Sequence, residues 1–399
     1  CVADLTKQVE VYPQPVAEFT TANVCAIDSV SFVNTSSISG GTISYKWNFG
    51  DSDTSVLTNP VHMYANAGTY TVSLTITSDK GCMDYYSSTV TLYPQPVADF
   101  STNDTCNGNH VIYVNNSRIS NGTNSYLWTY GDGNSSNNVS PTHTYPTTGT
   151  YSVMLVATSN NGCVDSAIKS VTIHPKPIVT FTTANVCFGD SVMTSNTSSI
   201  SAGSMTYYWN FGDGSNSTSS SPSHLYAAAG TYTISLLATS NNGCQNSYST
   251  TVTVYPAPAA SFNVSDACYG YTIAFQNTSS VSSGSNTFAW DLGDGSSTNN
   301  VSPTHLYASS GMYSAKLLAT TDKGCVDSVA KNVSVHPEAI SSFTASNVCD
   351  GDTVHFINSS SVSSGTMSYL WNFGDGNGAT AKDTNYIYSA PGTYIVKLT

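Results

Sequence analysis

Ten cysteines fall in two periodic series, and thiols so placed can close disulfides or hold a metal. Cys25, Cys106, Cys187, Cys268 and Cys349 stand 81 residues apart, as do Cys1, Cys82, Cys163, Cys244 and Cys325. A metal centre wants CxxC-type spacing, which is absent, so the regular cysteines of this Ser/Thr-rich chain point to disulfides in an oxidising, extracellular setting. Spacing alone does not fix their connectivity. The aspartates Asp51, Asp132, Asp213, Asp294 and Asp375 could contribute to a calcium site, but calcium takes six to eight oxygens. Only one or two carboxylates cluster per repeat, so turn capping is the expectation, with calcium the one cofactor to weigh and no other anticipated. His62, His143, His224 and His305 recur without a second His or Cys nearby, and Tyr386 takes the fifth place, which fits packing better than metal binding. Asn34, Asn115, Asn196, Asn277 and Asn358 each open an Asn-x-Ser sequon and are expected to bond turn backbone instead.

Catalysis is not expected. A nucleophile needs a base within hydrogen-bond reach and a third group to orient it, and no such set stands outside the repeated positions. Only 9% of the 399 residues are charged and the net charge is -13, so no basic stripe exists to meet nucleic acid. No apolar run approaches the ~20 residues of a membrane span, so the chain is not expected to be membrane-embedded.

The elements that position these residues repeat with the same period. Trp47, Trp128, Trp209, Trp290 and Trp371 keep it, as do Tyr70, Tyr151, Tyr232, Tyr313 and Tyr394, each two residues after a glycine. Prolines Pro13, Pro94, Pro175, Pro256 and Pro337 punctuate the joints. A fixed period of this size means an array with one domain per repeat. The boundaries are a last strand of a preceding repeat at 1–13, repeats at 14–94, 95–175, 176–256 and 257–337, and a repeat at 338–399 that stops before its last strand. The ends therefore suggest an excerpt of a longer array. Within repeat one, Val30 and Phe32 alternate with polar residues, as do Tyr45, Trp47 and Phe49, then Tyr70, Val72, Leu74 and Ile76, then Val90 and Leu92. Such period-two runs between Gly, Asn, Asp and Ser clusters predict an all-β sandwich. The tryptophan ring would fill the space between sheets. The tyrosine sits where a tyrosine corner bonds back to nearby backbone. Two prolines stiffen most joints; the fifth, Pro337-Glu338-Ala339, has lost one and is expected to be looser.

Trp-Asn-Phe-Gly-Asp-Gly at residues 209–214 and 371–376, followed by His224, Tyr226, Gly230 and Tyr232, resembles the signature of the PKD (polycystic kidney disease) domain. The resemblance covers the whole chain. Ser52 departs from it by replacing a glycine, and Asp291 and Leu292 by replacing Asn and Phe. It implies tandem immunoglobulin-like β-sandwiches, in an elongated rod of about 200 Å at roughly 40 Å per unit, used for extracellular adhesion, spacing and carbohydrate contact. The cysteine pattern further resembles repeats of giant Bacteroidota surface proteins, gliding-motility adhesins among them. Asp-Ser/Thr-aliphatic triplets resemble the O-glycosylation sequence of that phylum, which marks Ser29, Ser166, Ser191, Ser328 and Thr353.

On the implied sandwich the first cysteine series lies in the loop between strands A and B and the second at the F–G hairpin. These sit at opposite ends of one domain, about 30 Å apart along a nine-residue strand, whereas a disulfide needs Cα atoms about 5.5 Å apart. Interdomain bonds Cys25–Cys163, Cys106–Cys244 and Cys187–Cys325 are therefore expected, with Cys1, Cys82, Cys268 and Cys349 paired outside this stretch or unpaired. An intradomain Cys25–Cys82 bond and free thiols stay open as alternatives. The function expected is the stalk of a secreted bacterial surface adhesin at the outer-membrane exterior. It would transmit force to a distal adhesive region, with neighbouring repeats as partners, weak multivalent contacts to surface polysaccharide or other glycans, and lateral self-association as a further option. A spacer or carbohydrate-binding array of a secreted protease or chitinase, or a self-assembling filament subunit, is the alternative.

Overall fold

The computed structural model describes residues 2 and 4–399; Cys1 lies outside the described residues. Among the described residues every regular element is a β-strand. Repeat one runs through β1 (Phe19–Thr20), β2 (Val24–Cys25), β3 (Val30–Ser31), β4 (Val33–Asn34), β5 (Ile43–Asn48), β6 (Thr54–Ser55), β7 (Val61–His62), β8 (Gly68–Ser78) and β9 (Met83–Tyr93). One layer is a five-stranded sheet in the order β2-β9-β8-β5-β6, and the short pairs β1-β4 and β3-β7 face it.

Alternation decides which side chains go inside. Val72, Leu74 and Ile76 of β8 and Val90 and Leu92 of β9 are fully buried and meet Phe19, Val30, Phe32 and Trp47 from the other strands. The threonines between them face outward, and Thr69 and Thr91 hydrogen-bond across the strands at 3.1 Å. β9 begins seven residues before Val90, earlier than its apolar positions reveal. Its register with β8 runs from Gly68↔Leu92 to Thr77↔Met83. The segment holding Val30 and Phe32 is divided into β3 and β4 at Phe32, whose N–H donates to Pro60 O at 3.0 Å. In repeat three the equivalent residues form one strand, Val192–Asn196.

The periodic landmarks take the places the pattern assigns them. All five tryptophans are at most 2% exposed, and each indole N–H reaches a carbonyl ten residues on, Leu57 O at 2.8 Å in the case of Trp47. Tyr70 Oη donates to Asn66 O at 3.0 Å, and Tyr151, Tyr232, Tyr313 and Tyr394 do the same four residues back. By contacts the chain divides into two compact units. The first holds residues 1–178, 198–206 and 238–246; the second holds 179–197, 207–237 and 247–399.

The turn after each tryptophan strand depends on a left-handed glycine. At Gly131 φ is +79°, and an added Cβ would lie 2.6 Å from Ser152 O. Gly133 is also left-handed, with φ at +93°, but opens on empty space. Ser52 holds the matching position in repeat one at φ +91°, a conformation that costs a non-glycine residue about 1–2 kcal/mol. Gly131→Ala should therefore destabilise repeat two by more than 2 kcal/mol, and Gly133→Ala by only about 1 kcal/mol. Hydrogen exchange of strand 124–129 checks this, and equal effects of the two substitutions would contradict the clash.

Candidate functional site: the cystine joint between repeats

Each joint has two halves, and the sheet positions both. In the first half, β2 lies parallel to the end of β9, with Val24 opposite Leu92 and Cys25 opposite Tyr93. Ala26 N–H also donates to Tyr93 O at 2.9 Å. The cysteine expected in an open A–B loop is thus on a short strand whose backbone groups are satisfied by the strand end. Cys106 lies likewise beside His174, Cys187 beside Tyr255 and Cys268 beside His336.

The second half is the hairpin. Ser159 and Cys163 close it through a 2.8 Å bond from Ser159 N–H to Cys163 O, and Gly162 turns it with φ at +86°. The Ser159 hydroxyl accepts the Cys163 N–H at 3.0 Å. Ser78, Ser240 and Thr321 hold Cys82, Cys244 and Cys325 in the same way. A carboxylate then anchors the hairpin to the segment entering its own repeat: Asp165 accepts Ala98 N–H at 2.8 Å, and Asp84 and Asp327 accept Ala17 and Ala260. Gln95 Nε2 donates to Val164 O beside it. Asn246 takes this place in repeat three and donates to Pro177 O at 2.8 Å.

The two halves meet as cystines. Cys25–Cys163, Cys106–Cys244 and Cys187–Cys325 have Cα separations of 5.7, 5.6 and 5.5 Å, each across 138 residues of sequence. Cys163, Cys244 and Cys325 are at most 1% exposed. Cys82, Cys268 and Cys349 are unbonded, Cys82 half-buried and the other two exposed. Cys25 is bonded in the next repeat and not to Cys82 of its own.

The remaining candidates sort by burial. Ser29, Ser166, Ser191 and Ser328 are exposed and Thr353 is half-buried; the aspartates before Ser166 and Ser328 are the hairpin anchors just described. In the sequons, Asn34, Asn115, Asn277 and Asn358 accept the N–H two residues on. The Nδ2 atoms of Asn115, Asn277 and Asn358 are buried, so a glycan has no access to them.

One constellation is absent from the residue-by-residue reading of the sequence. His62 Nε2 meets Asp51 Oδ2 at 2.6 Å, and His143, His224 and His305 meet Asp132, Asp213 and Asp294 at 2.7 Å. The imidazole of His143 also stacks on Tyr130, with ring centroids 4.1 Å apart, and continues edge-on to Tyr145. Tyr386 keeps both roles: it stacks on Phe373 and donates to Asp375 Oδ2 at 2.6 Å. The constant eleven-residue offset from Asp to His, kept by a hydroxyl-bearing Tyr, is the signal that would have revealed the pair. The aspartates also cap turns, as Asp51 Oδ1 accepts Asp53 N–H at 3.1 Å. Asp51, Asp53 and His62 gather three ligand atoms within 4.8 Å, fewer than calcium requires. Asn134, Ser215, Ser296 and Asn377 replace Asp53 in the other repeats.

Burial pushes the Asp132 carboxyl upward, but hydrogen bonds from His143 and Asn134 outweigh it and hold it below the usual carboxylate range. Asp51, Asp213 and Asp294 show the same balance; at Asp375 the bond from Tyr386 leads. A carboxyl depressed in the folded state adds stability above the ordinary range near pH ~4 and loses it as pH falls through the folded value. Melting the chain from pH 5 to pH 2 should show that loss, and Asp132→Asn should flatten it for repeat two; an unchanged acid slope would mean that the His–Asp bond does not couple to stability.

The family model described as PKD domain matches residues 12–92, 93–173, 174–255, 255–336 and 334–399. Collagenase ColA of Bacillus cereus is 45% identical over 62 residues, 16% of this chain and 6% of its own length. The pre-pro-metalloprotease PrtV of Vibrio cholerae is 34% identical over 151 residues, 37% of this chain and 16% of its own length. Among solved structures, the PKD1 domain of Vibrio anguillarum Epp is 34% identical and covers 20% of this chain and 93% of that domain, with a TM-score of 0.19. The chain thus spans a small part of the curated relatives it matches. With the signature tryptophans and tyrosines in place and all five repeats matched, the chain belongs to the PKD domain family.

Proposed function

We propose that this array is a structural spacer outside the cell, the stalk of a large bacterial surface adhesin. The observation that carries the reading is the cystine joint, repeated three times with one geometry. A bond placed between neighbours rather than within one domain fixes their relation, which a load-bearing spacer needs. Disulfides persist in oxidising surroundings outside the cytosol, and the named relatives include a pre-pro-metalloprotease and a collagenase. A surface of Ser, Thr and Asn with few charges suits many weak glycan contacts, whose multivalency raises avidity, and leaves lateral self-association open to the same sheets.

The second reading, a spacer in a secreted hydrolase, draws on those same relatives. In-frame removal of two repeats separates the two. The stalk reading expects weaker attachment of cells under shear with surface display of the remainder unchanged. Unchanged attachment, together with lost cleavage of an insoluble substrate, would favour the hydrolase spacer. One non-reducing digest tests the covalent part. Peptides linking Cys25 to Cys163, Cys106 to Cys244 and Cys187 to Cys325 are expected, with hexose on Ser29, Ser166, Ser191, Ser328 or Thr353; unmodified peptides at full coverage end the glycosylation proposal.

A further inference from the structure

We infer that the overlapping cystines give the array a covalent load path that bypasses most of each of the first four repeats, so that within them tension is borne by a few strands and the thiol redox state sets how far the chain can be drawn out. A pull between the two ends follows the shortest covalent route. It enters along residues 1–25, crosses the Cys25–Cys163 bond, runs along residues 163–187, crosses Cys187–Cys325 and leaves along residues 325–399. Residues 26–162 and 188–324 are closed loops hanging from that route. The third bond, Cys106–Cys244, links one loop to the other and carries load only when another bond opens.

The elements on the route suit this role. Residues 164–174 form the last strand of repeat two, paired along its length with residues 149–158. Sheet hydrogen bonds lie perpendicular to the strands, so a pull along this strand loads its bonds together rather than one at a time. The strand then leads through Pro175-Lys176-Pro177 to Cys187, whose own short strand is held against Tyr255. Tension therefore crosses repeat two by its last strand and enters repeat three along its first two short strands. The buried tryptophans Trp128 and Trp209 and the strands that carry them lie inside the bypassed loops. This route follows from the cystines alone and holds whether the array carries an adhesive region or a hydrolase.

The experiment draws the whole 399-residue chain by its ends in an optical trap, before and after dithiothreitol. Each cystine takes two electrons and two protons from the reductant, which closes to its cyclic disulfide and leaves two thiols. With bonds intact, full extension should stop near 440 Å, and after reduction it should reach about 1,400 Å, at ~3.5 Å per residue. Cys163→Ser should pass the load to Cys106–Cys244 and lengthen the shortest route by 114 residues, adding about 400 Å. Equal extension before and after reduction overturns the inference, as does a non-reducing digest of the same sample that lacks the Cys25–Cys163 and Cys187–Cys325 peptides. Neither result depends on what the array carries, so failure of the load path and failure of the stalk reading are told apart.

Discussion

A cystine accepts only a narrow range of Cα separations, and this chain meets that range three times with the same 138-residue offset. That constraint organises the rest. Each repeat must present one cysteine at the end of its last strand and the other on the hairpin that begins that strand, at a fixed distance. Inserting one residue within β9 would reverse the faces of the residues beyond it, so Val90 and Leu92 would leave the core and Cys25 would lose its parallel partner. The unbroken 81-residue period is what such a constraint looks like in sequence.

The aromatic ladder beneath the turns meets a second demand. Phe49, His62, Tyr64 and Tyr70 touch in succession, stacked at the two ends and edge-on between His62 and Tyr64, and the buried Tyr64 hydroxyl donates to Phe49 O at 3.0 Å. A buried hydroxyl without a partner is costly, so this bond fixes the ladder to the turn that Gly50 and Asp51 shape. In repeat four Leu292 stands where the others have an aromatic, yet His305 keeps its carboxylate at 2.7 Å. The hydrogen bond, more than the stacking, is the shared element.

Much of this was legible in the sequence because it follows from alternation. Val72, Leu74 and Ile76 announce a half-buried strand, and Gly68 with Tyr70 announces the corner. The full length of β9 was not legible, since Met83–Ser88 pair with β8 while mostly facing solvent and carry no apolar rhythm. Nor was β2, a two-residue strand whose existence depends on the distant end of β9. The pairing of Asp with His escaped for a related reason: a turn closes the eleven residues between them, and neither residue type alone implies the other.

The overlap of the three bonds has a consequence for survival outside the cell. Every peptide bond between Cys25 and Cys325 lies inside at least one disulfide-closed loop, and those from Cys106 to Cys163 and from Cys187 to Cys244 lie inside two. A protease that cuts once anywhere in that stretch severs the backbone without parting the molecule. The array behaves as a laddered cable, in which one broken rung or rail leaves both ends attached.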